Sequence, residues 1–209
     1  MSPSGRSKAG TLRVVLATTN RGKLADFRLL FRDSGIDLVS PADVGVVLDV
    51  EETGETFLEN ARLKARAHLA ASGLPALADD SGIVAHALGN EPGVRSARYA
   101  GEPSDDHANN RLLIEKLRGI ADRGASFICA LALVLPDGRE ITAEGRCDGR
   151  IIDEERGTNG FGYDSIFFRD DLGLTFGEAT REEKTARSHR GAAARALLER
   201  LRQERIVGG

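Results

Sequence analysis

The stretch LADDSG, residues 77–82, decides how this sequence is read. It closes the small apolar run LPALA (74–78) with two adjacent carboxylates, Asp79 and Asp80, followed by Ser81 and Gly82. A short apolar run bounded by Pro and Gly predicts a buried strand. Carboxylates are almost never buried unless they are paired or hold a cation. The expectation is a strand over PALAD (75–79) whose C-terminal end presents acids, where ligands sit in open α/β sheets. Taken alone, the pair reads as readily as a turn in which one Asp caps the backbone.

Working outward from this strand, RVVLAT (13–18) predicts a buried strand and NRGK (20–23) a turn. KLADFRLLFRDSG (23–35) predicts a helix, because Leu24, Phe27, Leu30 and Phe31 share a face and Gly35 is a good stop. IDLVS (36–40) predicts a strand, and GVVLDVEETGE (45–55) a polar loop. Thr56 and Glu59 have the spacing of a capping box that opens a helix over FLENARLKARAHLAAS (57–72), closed by Gly73. GIVAHAL (82–88) reads as a further strand. SDDHANNRLLIEKLRG (104–119) predicts a helix with Ser104 as N-cap and acids in its first turn. SFICALALVL (126–135) and REITAEGR (139–146) flank PDG, a hairpin signal. DSIFF (164–168) predicts a short strand, and HRGAAARALLERLRQE (189–204) a closing helix. Strands mixed with helices and one hairpin predict an α/β domain with a mixed sheet. The expected organisation is one catalytic domain over 12–207, with 1–11 as a disordered polar extension.

Composition removes several classes of function. No apolar run approaches the roughly 20 residues of a membrane span. The formal net charge is −3 and no basic block exists, which argues against a nucleic-acid arm. Two distant cysteines and four scattered histidines lack the spacing of a zinc site. A cytoplasmic setting is the default expectation for such cysteine usage.

Four constellations carry chemistry. TTNRGK (18–23) lies between a strand and a helix, where backbone N–H groups and a helix N-terminus attract anions, and Lys23 adds full charge. It departs from the G-x-x-x-x-G-K-[ST] phosphate loop at Thr18 and Leu24, which argues against an ordinary P-loop NTPase. Glu51, Glu52, Asp79 and Asp80 form an acidic set of hard oxygen donors suited to Mg²⁺. GTNGFGYD (157–164) surrounds Phe161 with glycines that let a flat ligand approach, and an aromatic face can stack on a base. EEKTARSHR (182–190) places Lys184, His189 and Arg190 as donors just before a helix. Each has an ordinary alternative: a helix-start turn, a solvated loop, a core aromatic, or a surface turn capped by Ser188. One substrate uses all four. A nucleoside triphosphate needs cations for phosphates, acids for Mg²⁺ and an aromatic face for its base.

Six segments in fixed order carry a resemblance: LATTNRGK, EETGETFLENARLKA, LADDSG, PGVRSARYAG, FGYD and EEKTARSHRG. Together, over about residues 13–203, they closely resemble the Ham1/RdgB family of inosine/xanthosine triphosphate pyrophosphatases. The resemblance implies an elongated α/β fold, a mixed sheet flanked by helices, with two lobes and a central cleft, usually as a homodimer. It implies Mg²⁺-dependent hydrolysis of ITP, dITP and XTP to the monophosphate and pyrophosphate, with a purine nucleoside triphosphate as the only partner besides a second copy. By the same resemblance Asp80 is the proton acceptor and a metal ligand, and Glu51 the other metal-linked acid. Thr18, Thr19, Asn20, Arg21, Gly22 and Lys23 match the triphosphate loop. Ser81, Phe161, Gly162, Tyr163, Asp164, Lys184, His189 and Arg190 match substrate contacts, and Lys64 a phosphate contact. The nearest alternative is a Maf-type pyrophosphatase acting on pyrimidine or modified nucleotides. A P-loop kinase or GTPase and a bare nucleotide-binding module are the others.

Overall fold

The apolar run after Pro75 forms a strand, but that strand does not stop at the acids. In the computed structural model, which describes residues 11–207, β3 runs unbroken over Ala76–Ala85. The two strands expected over 75–79 and 82–88 are therefore one, and Asp79 and Asp80 lie in mid-strand. The polar ADDSG stretch stays extended because strand propensity yields to side-chain pairing and burial. The expectation for residues 1–11 lies, but for Thr11, outside the described residues.

The other strands are β1 (Leu12–Leu16), β2 (Ile36–Val39), β4 (Gly124–Val134), β5 (Glu140–Ile151), β6 (Phe167–Arg169) and β7 (Leu174–Thr175). They form one seven-stranded sheet in the order β2-β1-β3-β4-β5-β6-β7. β1 pairs in parallel with β2 and β3, whereas β6 pairs antiparallel with β5 and β7, so the sheet is mixed. The helices are α1 (Arg21–Leu30), α2 (Phe57–Ser72), α3 (Asp106–Lys116), α4 (Arg181–Arg187) and α5 (His189–Gln203). Asn20 caps α1 by accepting the Lys23 N–H at 3.1 Å, so the NRGK turn already belongs to the helix start. The capping box on α2 forms as the spacing predicts, and Gly73 ends that helix with φ +68°. On α3 the cap is Asp105 rather than Ser104, whose hydroxyl instead donates to the Ala97 carbonyl. The helix α4 was not predicted; Thr180 and Glu183 form its capping box, an S/T-x-x-E signal legible in the sequence.

The chain divides into two compact units. Among the described residues the first holds those up to Asp80, Cys129–Gly145 and those from Arg190 onward; the second holds Ser81–Ile128 and Arg146–His189. In the first unit the chain passes from β1 through α1 to β2 on one side, then through α2 to β3 on the other. Right-handed crossovers in opposite directions put α1 and α2 on opposite faces of the sheet. The core follows this. Val14, Leu16 and Leu77 pack with Phe27 of α1 and with Ala193, Leu197 and Leu201 of α5. Ala17 and Ala78 pack with Ala61 and Ala65 of α2. In the second unit Ile83, Leu113, Phe127, Tyr163, Phe167 and Phe176 make the core.

Candidate active site

β1 pairs with β3 only at Val15–Ala76 and Leu16–Leu77. Beyond Leu77, among the described residues, the edge of β3 has no strand paired with it on that side. This is the C-terminal end of the two strands at which the chain reverses direction across the sheet, where open α/β folds bind ligands. Asp79 and Asp80 are the residues that emerge there.

Successive residues of a strand point to opposite faces. Leu77 belongs to the α1/α5 face and Ala78 to the α2 face, so Asp79 continues the first and Asp80 the second. Asp79 meets Lys23 Nζ of α1 at 3.1 Å and Arg190 Nε of α5 at 3.6 Å. Asp80 meets Lys64 Nζ of α2 at 2.9 Å and Asn60 Nδ2 at 3.4 Å. Lys64 also donates to Glu52 Oε1 at 2.8 Å. Asn60 is anchored in turn: its Oδ1 accepts the Gly54 N–H at 2.7 Å. Asn60 and Lys64 are four residues apart, hence on one face of α2.

The two carboxylates are both buried yet titrate in opposite senses. Burial pushes each one up. At Asp79 the charges of Lys23 and Arg190 overcome it and hold the carboxyl well below the usual range. At Asp80 burial prevails, aided by the nearby Glu52 carboxylate and opposed by Lys64, and the carboxyl stays raised. Burial pushes the Lys64 ammonium down, but Asp80, Asp79 and Glu52 together raise it. The two adjacent carboxyl groups are thus pushed apart in proton affinity.

The sequence-predicted residues fall into both units. Thr18, Thr19, Asn20, Arg21, Gly22 and Lys23 form the β1–α1 turn and the start of α1, with Thr18 Oγ1 accepting the Asn20 N–H at 3.2 Å. Glu51 is exposed, while it is Glu52 that joins the Lys64–Asp80 cluster. Resemblance implies Glu51 as the metal-linked acid; the acid on the Lys64 ammonium is Glu52. Asp79 stood among the candidate acids without an assigned role, and Asn60 was not singled out, although the Asn60–Lys64 spacing was legible.

In the second unit Lys184 is buried, pairs with Asp164, and lies over the Phe161 ring at 4.9 Å. Asp164 Oδ2 also accepts the Phe161 N–H at 2.8 Å. A Cβ on Gly160 would stand 2.1 Å from that carboxylate, at φ +78°, so glycine is required there. Tyr163 is a core residue whose hydroxyl donates to the Ser96 carbonyl at 2.8 Å. His189 stacks on Phe127 with centroids 4.7 Å apart. Lys184, Ser188 and His189 are thus buried rather than part of a surface turn. Ser81 is half-buried on β3, and Gly162 lies in the turn after Phe161.

Comparison with known proteins agrees with these motifs. The model of the Ham1 family matches residues 14–200. A dITP/XTP pyrophosphatase of Ralstonia nicotianae is 50% identical over 91% of this chain and 96% of its own. One from Streptomyces coelicolor is 48% identical over 91% of this chain and 98% of its own. Among solved structures, a HAM1 protein from Coxiella burnetii superposes with TM-score 0.84 at 42% identity, covering 92% of this chain and all of that one (100%). The Staphylococcus aureus Ham1 protein gives 0.82 at 41% identity, covering 92% and 99%. A Maf-type alternative gains no support from these relatives. A family model that spans nearly the whole described chain, joined to close relatives of the same length and fold, establishes that this chain belongs to the Ham1 family.

Proposed function

We propose that this chain hydrolyses inosine, deoxyinosine and xanthosine triphosphates to the nucleoside monophosphate and pyrophosphate, removing them before incorporation into DNA or RNA. The relatives' names give the substrate class. The observation that carries the reading is the contrast along β3, where Asp79 is held ionised by two cations and Asp80 is kept basic by burial. Asp80 accepts the proton of the attacking water at the α-phosphorus. Asp79 takes no proton; it fixes Lys23 and Arg190 beside the phosphates. Lys23 and the backbone N–H groups at the start of α1 receive phosphate charge, as helix N-termini do.

Mg²⁺ is the proposed cofactor. The donor chemistry fits it, because Asp80 and Glu52 are hard carboxylates already drawn to one ammonium, at 2.9 and 2.8 Å. Glu51, the ligand implied by resemblance, is retained as the alternative. Mg²⁺ commonly takes one or two carboxylates and completes its shell with water and substrate phosphates. Among the described residues no group of three or more His, Cys, Asp or Glu could hold a metal by itself. When bound, the ion supplies charge neutralisation and polarises phosphorus. Lys64 is proposed to meet phosphate.

Phe161 is proposed to stack on the base, with Ser81, Gly162, Lys184, His189 and Arg190 as further substrate contacts. Asp164 and Tyr163 support this set from behind, through Phe161, Lys184 and the Ser96 carbonyl. A donor aimed at the 6-oxo group of hypoxanthine or xanthine is left unpaired by adenine, at about 1–3 kcal/mol. A homodimer in the cytoplasm is the proposed setting. No described helix is long and apolar enough to cross a membrane.

The test is a product assay on ITP, XTP, dITP, GTP, ATP and dTTP, with Mg²⁺ and with EDTA. Metal-dependent pyrophosphate and monophosphate from the first three, with little from the others, is the expected result. Orthophosphate with diphosphate would refute the bond assignment, and preferred turnover of dTTP would revive the pyrimidine alternative.

A further inference from the structure

We infer that Asp106 and Asn110 of α3 are positioning residues that hold the Phe161 loop in the shape a base requires. The inference rests on the reading of Phe161 as the base-stacking ring. Gly157, Gly160 and Gly162 all take positive φ, +80°, +78° and +63°. A glycine-rich segment loses much conformational entropy when fixed, so something must hold it. Two residues of α3 one helical turn apart do so, gripping Gly162 at both of its polar groups. Asp106 Oδ2 accepts the Gly162 N–H at 2.7 Å, and Asn110 Nδ2 donates to the Gly162 carbonyl at 3.3 Å. Asn110 Nδ2 also donates to Ser165 Oγ at 3.1 Å, which donates to Glu155 Oε2 at 3.2 Å. His107 Nδ1 meets the same Glu155 oxygen at 2.8 Å. On the other side of Gly162, Asp164 fixes the Phe161 N–H. The ring is therefore bracketed by constraints on both neighbouring turns of backbone.

Stability alone does not account for these residues. Asp105 already caps α3, so Asp106 is not needed as the cap. Asn110 is only 1% exposed, and its Oδ1 is buried without a hydrogen-bond partner among the described residues. An amide buried with an unmatched acceptor is a destabilising choice beside an apolar side chain. What the amide supplies is its donor end, aimed at Gly162 and Ser165.

The experiment compares Asp106→Ala, Asp106→Asn, Asn110→Leu and Phe161→Ala with the full-length wild type. It measures Tm, kcat and KM for ITP, and competitive inhibition by IMP and by inorganic pyrophosphate. Asp106→Ala and Asn110→Leu are expected to raise KM for ITP and Ki for IMP roughly tenfold, the scale of one lost hydrogen bond. Their kcat and their Ki for pyrophosphate, which has no base, stay near wild type. Asp106→Asn keeps an acceptor for the Gly162 N–H and restores both constants. A Ki for pyrophosphate that stays near wild type, with Tm measured on the same preparations, separates weakened IMP binding from unfolding. If Phe161→Ala weakens IMP and the two α3 variants do not, the positioning role is overturned while the base reading stands. If IMP and pyrophosphate weaken together, the residues act on the whole site, and the inference is likewise overturned. If Phe161→Ala leaves IMP inhibition unchanged, the base reading fails and the inference with it.

Discussion

Asp79→Asn and Asp80→Asn change neighbouring residues by the same atoms, yet they should do opposite things. The Asp79 side chain is 1% exposed between Lys23 and Arg190. Removing one member of a buried charge pair typically costs about 3–5 kcal/mol, because the partners stay behind without a counter-ion. Lys23 is still 18% exposed and can recover some hydration, which favours the lower end of that range. At about 2–4 °C per kcal/mol for a chain of this size, Asp79→Asn should lower Tm by roughly 6–12 °C. Asp80 differs in that its fold already disfavours the ionised form. A neutral amide there keeps the shape, and Lys64 keeps Glu52. Asp80→Asn should therefore shift Tm by no more than about 4 °C, the scale of one hydrogen bond. Its turnover should fall about 10²- to 10⁴-fold, the usual contribution of a general base. Thermal melts at pH 7 and pyrophosphate release from ITP with saturating Mg²⁺ measure both effects on the same preparations. An Asp79→Asn protein that melts with the wild type, or an Asp80→Asn protein that retains a tenth of its turnover, would refute the division of roles.

Acid should expose the same contrast. The Asp79 carboxyl is depressed below its ordinary 3.8, so its stabilisation is fully present above that pH and is lost as pH falls below it. Tm measured from pH 6 to pH 2 should fall more steeply below about 4 in the wild type than in Asp79→Asn, and parallel curves would contradict the pairing. Lys23→Ala should raise KM and lower kcat, with kcat/KM down roughly 10- to 100-fold for one charge-assisted contact; an unchanged steady-state profile would remove Lys23 from the site. Glu52→Gln should raise the Mg²⁺ concentration for half-maximal rate roughly tenfold, while Glu51→Gln leaves it near wild type. The reverse ranking in a metal titration would restore Glu51 as the ligand.

Much of this protein was legible in one dimension. The apolar periodicity of KLADFRLLF, the Thr56–Glu59 box and the hairpin signal PDG act over a few residues, and the elements they predict, α1, α2 and the β4–β5 hairpin, formed close to their expected bounds. The motifs TTNRGK and LADDSG identified the chain's family because they are local strings. The helix α4 and the continuity of β3 escaped for identifiable reasons. The Thr180–Glu183 box opens α4, whose seven residues are too few to show a hydrophobic period, so the cap alone had to signal it. The strand break expected after Asp79 followed from reading acids as strand-enders, whereas partners remote in sequence keep β3 extended.

What local sequence rules could not decide is how the two acids differ in proton affinity; resemblance alone singled out Asp80. Asp79 and Asp80 are adjacent and chemically identical, and no local rule separates them. Their surroundings divide because β3 alternates its side chains across a sheet whose two faces are covered by different helices. One face brings Lys23 and Arg190, from 56 residues before and 111 after Asp79 in the numbering, to a single carboxylate. The other brings Asn60 and Lys64 to its neighbour, with Glu52 on the same ammonium. A carboxyl group's proton affinity is set by the charges and solvent around it, and those were fixed only when the crossovers placed α1 and α2 on opposite sides of β3.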